Sequence, residues 1–166
     1  MIIVNRLSSL TRFPIQELVF RDEYRQFVPP AGRLTSRTVH FLPLLFITLA
    51  ISALSTQSDF KQHPSESTIQ SHKDFARSMY TKARQALSLS DALTDGDTSL
   101  FIIMGEVLIA RYLILIRRAS NGLVVIGSAV RRAQALGLHR SSALFQAASL
   151  REEQAEERKR IWARGL

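Results

Sequence analysis

The chain has 166 residues, 46% of them hydrophobic, which is enough for one domain with a modest core and excludes wholesale disorder. It contains no cysteine, so disulfides, cysteine-liganded zinc and thiol nucleophiles are excluded within these residues. The net charge of +8 is uneven: residues 1–99 hold eleven Lys+Arg against nine Asp+Glu, whereas residues 100–166 hold eleven against five. Such a bias attracts nucleic acid or anionic membrane, or makes a solvated arginine-rich surface.

In chain order, residues 1–38 form a poorly defined N-terminal segment. Pro14 opens a short helix over Ile15–Phe27, with Leu18, Val19, Tyr24 and Phe27 as its apolar positions, and Pro29, Pro30 and Gly32 then break the chain. Phe41–Thr56 is apolar on nearly every side and is therefore a buried helix, with Pro43 in its first turn. Its fourteen-residue apolar run, Phe41–Leu54, is short of the roughly 20 residues a membrane span needs. Ser55–Ser71 is polar and reads as a surface loop, and His63 and His72, nine residues apart, lack companions at metal-ligand spacing.

From His72 to Leu89 the residues Phe75, Met79, Ala83, Ala86 and Leu87 recur at helical spacing. Ser90–Ser99 is an acidic turn in which Asp97, Thr98 and Ser99 offer capping oxygens. Leu100–Arg118 is the most hydrophobic helix. Glu106 and Arg111 in its middle would each cost roughly 2.5–3.5 kcal/mol in hydrocarbon, so a core position is expected. Asn121-Gly122 reads as a tight turn, and Leu123–Leu136 runs back as a second helix. Its apolar face is Ile126, Ala129, Val130 and Ala133, with Arg131 and Gln134 facing away and Gly127 and Ala129 small enough for close approach.

Gly137 follows the last periodic residue, where a left-handed residue closes many helices, and Leu138 is placed to fold over the last turn. Arg132, His139 and Arg140 lie at the negative end of the helix dipole. Leu150–Arg164 is a charged helix with a Glu156–Arg160 pair at i,i+4, and its Ile161 and Trp162 make an apolar face. No segment alternates apolar and polar residues over a strand's length. The expected fold is all-α: an irregular helical domain with a central antiparallel helix hairpin, and an incomplete one.

No phosphate loop, nucleophile elbow or His-Glu-x-x-His pattern occurs, and no catalytic residue is assigned. Glu152, Glu153, Glu156 and Glu157 alternate with Arg158, Lys159 and Arg160 on a solvated helix rather than forming a carboxylate pair.

The run AVRRAQALGLHR, preceded by VVIG and followed by EERKRIW, resembles the core signature of the fungal-specific transcription factor domain, the middle homology region of regulators with a binuclear zinc cluster. FLPLLFITLAISAL is similar to that family's early buried helix and YTKARQAL to its Tyr-x-x-Ala-Arg helix, so the resemblance covers about residues 39–164. It assigns a structural motif to Gly127, Arg131, Ala133, Gln134, Gly137, Leu138, His139, Arg140, Arg160 and Trp162. It implies a nuclear, non-catalytic domain over 39–166 that modulates transcription, with protein partners or self-association. DNA is reached only through a separate six-cysteine zinc module, so no cofactor is expected in this chain. Where the family commonly has Trp-Trp, this chain has Trp162-Ala163, and the sequence is expected to be a fragment, marginally stable alone. The rival reading is a small basic membrane-associated helical protein.

Overall fold

A computed structural model describes residues 17–27, 35–55, 66–93 and 99–139. They form five α-helices: α1 (Glu17–Phe27), α2 (Ser36–Ser55), α3 (Glu66–Leu93), α4 (Leu100–Leu115) and α5 (Ala119–Ala135). No strand occurs among the described residues, and the fold is all-α. Two packed pairs, α2 with α3 and α4 with α5, are joined mainly by α2 lying on α4.

Three helices, α2, α3 and α5, begin earlier than apolar periodicity alone indicates, and α4 begins at Leu100 as expected. Thr35 caps α2, its hydroxyl oxygen accepting the Thr38 amide at 3.2 Å, so a polar turn precedes the apolar run. Pro43 therefore lies inside the helix instead of in its first turn. There it removes one backbone hydrogen bond, and it is buried where α2 crosses α4. A β-carbon on Gly105 would come within 3.4 Å of the Pro43 Cβ, so a glycine on α4 accommodates the proline ring. With twenty residues, α2 is also long and apolar enough to cross a membrane, unlike the shorter run read from sequence. It serves as a core helix here: Phe41, Leu44, Ile47 and Ala50 are almost wholly buried.

At 28 residues, or about 42 Å, α3 is longer than expected at both ends. Part of the expected loop, residues 66–71, and of the expected acidic turn, residues 90–93, is helical. The first extension is polar apart from half-buried Ile69, and in the second the polar Ser90 is buried while Ala92 and Leu93 are exposed, so apolar spacing does not mark them as helix. Ala76, Met79, Ala83, Ala86 and Leu87 face inward, while Phe75 is exposed. Small Ala76 and Ala83, fully buried, let α3 approach the bulky face of α2. Ser99 caps α4, its hydroxyl accepting the Ile102 amide. Ten of the sixteen residues of α4 are buried, which makes it the centre of the fold.

The turn between α4 and α5 is not at Asn121-Gly122. It lies at residues 116–118, where Arg117 takes φ 61°, and both Asn121 and Gly122 belong to α5. Gly122 is used for proximity: a β-carbon there would stand 3.0 Å from the Ala110 carbonyl oxygen and 3.3 Å from Ile114 Cγ1. Gly127, expected at the close approach, faces only the Arg131 side chain. The buried face of α5 is Gly122, Val125, Ala129 and Ala133, with Ile126 and Val130 half-buried on its flank.

Aromatic contacts tie the periphery to this core. Phe41 meets Phe20 of α1 at 5.3 Å and Phe101 of α4 at 5.7 Å between ring centroids, and Tyr80 of α3 stacks on Tyr112 of α4 at 4.8 Å. The Arg37 guanidinium of α2 grips both oxygens of buried Glu23 on α1, with Nε 3.0 Å from Oε2.

Candidate functional site

The polar centre of the molecule lies where α3, α4 and α5 meet. Arg132 of α5 donates from one terminal nitrogen to both oxygens of Asp91 on α3, at 2.9 and 2.8 Å. Its Nε stands 3.3 Å from Oε1 of Glu106 on α4, and the Ser128 hydroxyl donates to that same oxygen at 2.8 Å. One arginine thus clasps three helices.

Glu106 is 2% exposed, and its second oxygen, Oε2, is buried with no hydrogen-bond partner among the described residues. Burial pushes its carboxyl above the ordinary carboxylate range, and Asp91 adds to that push. The Ser128 hydrogen bond and the Arg132 charge oppose it without overcoming the burial. For Arg132, burial disfavours the charged form, but the bond to Asp91 and the two carboxylate charges outweigh that and raise its pKa.

Over the clasp lies an open cleft of about 300 Å³, lined by Arg84, Leu87 and Ser88 of α3, Glu106 of α4, and Val124, Ser128 and Arg131 of α5. The hydroxyl of Ser128 is committed to a carboxylate, with no histidine beside it to act as a base, so the arrangement holds helices together rather than activating a nucleophile. Among the described residues no three His, Cys, Asp or Glu side chains gather in a way that would hold a metal. With no cysteine in the sequence, the donor set does not fit a thiolate zinc cluster.

The helix stop read from the sequence is present. Gly137 takes φ 69°, its amide bonds the Gln134 carbonyl at 2.9 Å, and the Leu138 amide reaches the Ala133 carbonyl at 3.0 Å. Leu138 folds back and is 5% exposed. Ala133 is fully buried, Gly127 is half-buried, and Arg131, Gln134 and His139 are exposed. Arg140, Arg160 and Trp162 lie outside the described residues, as do His63, Asp97, Thr98 and the helix expected over Leu150–Arg164.

Sequence reasoning missed the clasp. The sequence places Arg132 at the helix dipole and Asp91 in a turn. The available signal was Glu106, the only acid between Leu100 and His139, set in an apolar helix where an unpaired charge would be costly.

Among the described residues the fold is a helical body with a polar clasp between α3, α4 and α5 and a capped hairpin. The chain belongs to the family described as Fungal specific transcription factor domain, whose sequence model matches residues 3–164. The family is one of zinc cluster regulators, typically non-catalytic and nuclear in function. No curated protein and no solved structure matches the chain.

Proposed function

We propose that this chain is a non-catalytic regulatory domain of a fungal transcription factor, working in the nucleus and modulating transcription through protein contacts or self-association. The observation that carries the reading is the family match across residues 3–164. The interior agrees with it, since the buried carboxylate and the arginine beside it are spent on joining helices. These residues hold no cysteine with which to read DNA through a zinc cluster, so DNA contact would come from another module.

The test is a reporter gene in a fungal cell, with the full chain tethered to a heterologous DNA-binding domain. The chain should change reporter output relative to the DNA-binding domain alone, and Arg132→Ala should abolish the change by loosening α3, α4 and α5 together. A nuclear, folded fusion with no effect on the reporter would overturn the reading.

A further inference from the structure

The tip of the α4–α5 hairpin gathers charge and apolar surface that nothing described so far uses. Arg111, Ile114 and Leu115 share one face of α4, being three and four residues apart. Arg117 and Arg118 form the connection that follows. Leu123 succeeds Gly122, which lies against Ile114, so it stands within a turn of that residue. Ile114, Leu115 and Leu123 are 49, 55 and 68% exposed, and Arg117 and Arg118 are exposed as well.

Between Glu106 and His139, the stretch that forms this surface, the described chain carries no acidic residue. After Glu106 the next acidic residue in the sequence is Glu152. Asp91 and Glu106, the acids beside α5, are engaged by Arg132, and no ion pair to Arg111, Arg117 or Arg118 occurs among the described residues. Arg117 also occupies a left-handed position where glycine would be free of strain, so a long cation is kept at the tip at a cost in stability.

We propose that the hairpin tip is a docking surface for an acidic amphipathic segment of a partner protein, one in which Asp or Glu alternates with large aliphatic side chains on a helical face. Arginine's planar fork matches carboxylates bidentately, and Ile114, Leu115 and Leu123 supply the apolar contact. A nucleic-acid backbone would satisfy the guanidiniums but offers nothing to these aliphatic groups. A bilayer interface is the remaining occupant for such a surface, and the vesicle arm of the test separates it from an acidic segment. The surface needs no regulatory role to bind such a segment. A silent reporter with intact peptide binding would therefore remove the function proposed above and leave this inference standing.

The test uses the full chain and a fluorescein-labelled helical peptide of about 15 residues, leucine on one face and glutamate elsewhere, read by fluorescence anisotropy. A second peptide replaces glutamate with glutamine, and phosphatidylserine vesicles and duplex DNA complete the series. The glutamate peptide should bind about tenfold more tightly than the glutamine peptide and weaken as salt rises. Arg118→Gln combined with Leu123→Ser should weaken binding about tenfold with an unchanged circular dichroism spectrum, and Lys73→Gln on α3 should leave it intact. Arg117→Gly is the sharper variant: it should weaken binding about fivefold while raising the melting temperature, which a merely structural residue would not do. Equal binding of the two peptides, indifference to the tip substitutions, or substitution-sensitive binding to vesicles or DNA in place of peptide would overturn the proposal.

Discussion

Arg117 and Gly137 occupy the same position in two successive helix caps. Each takes a left-handed φ, 61° and 69°, and each donates its own amide to the carbonyl three residues back. The residue after each reaches back five, Arg118 to Leu113 at 2.7 Å and Leu138 to Ala133 at 3.0 Å. The caps share a geometry and differ in whether the left-handed residue carries a β-carbon. Arg117→Gly should therefore stabilise the domain by about 1 kcal/mol, and Gly137→Ala should destabilise it by about 1 kcal/mol or more. Urea unfolding of the two variants measures both, and an unchanged midpoint for Gly137→Ala would contradict the cap.

Two glycines of α5 should respond oppositely to the same substitution. At Gly122 an alanine methyl would meet the Ala110 carbonyl at 3.0 Å, a backbone atom that yields only if the helices part, so Gly122→Ala should cost about 1–3 kcal/mol. At Gly127 the nearest atom is the flexible end of Arg131 at 3.6 Å, so Gly127→Ala should gain up to about 1 kcal/mol from helix propensity. Thermal melts of the pair give the comparison, and a stabilised Gly122→Ala would place the α4–α5 crossing elsewhere.

Glu106 gives the domain a pH dependence with a definite sign. Its folded carboxyl lies above the ordinary 4.5, so the folded state binds this proton more tightly than the unfolded chain. The stability contributed by the neutral carboxyl is fully present below about 4.5 and is lost as pH rises through the raised folded value. The stability difference between wild type and Glu106→Gln should therefore shift toward the variant as pH rises above that point. Denaturant midpoints across the range read it, and a difference independent of pH would show that Glu106 ionises as in water.

The clasp should be far less tolerant of losing its cation. Arg132→Ala leaves Glu106 buried without a counter-charge and should cost about 3–5 kcal/mol at neutral pH. Adding Glu106→Gln to that variant should restore part of the loss, because the stranded charge is gone. A double-mutant cycle measures the coupling, and strictly additive losses would mean that the two residues act independently.

What could be read from the sequence was local. The Gly137 stop needs only a glycine after the last apolar position and a leucine to cover it, so it is visible in the primary structure. The central hairpin is visible because α4 is too apolar to lie anywhere but inside. The starts of α2 and α3 are hard to see because Ser36–Thr38 is polar and Glu66–Ser71 offers a single apolar residue, Ile69, too little to show a stripe. Asn121-Gly122 has turn composition, yet the glycine is set by packing on Ala110, a contact no dipeptide reveals. The clasp was least legible, since Asp91 and Arg132 are 41 residues apart and meet only once α3 lies against the hairpin.

The claim on which the rest depends is that α4 is the buried centre, held by α2 on one side and α5 on the other. Amide hydrogen exchange of the full chain tests it most directly. Residues 102–113 of α4 should exchange slowest, at the rate of global unfolding, with the α5 amides up to Ala133 next and those of α1 fastest among the described helices. Exchange of the α4 amides as fast as those of α1 would contradict the account.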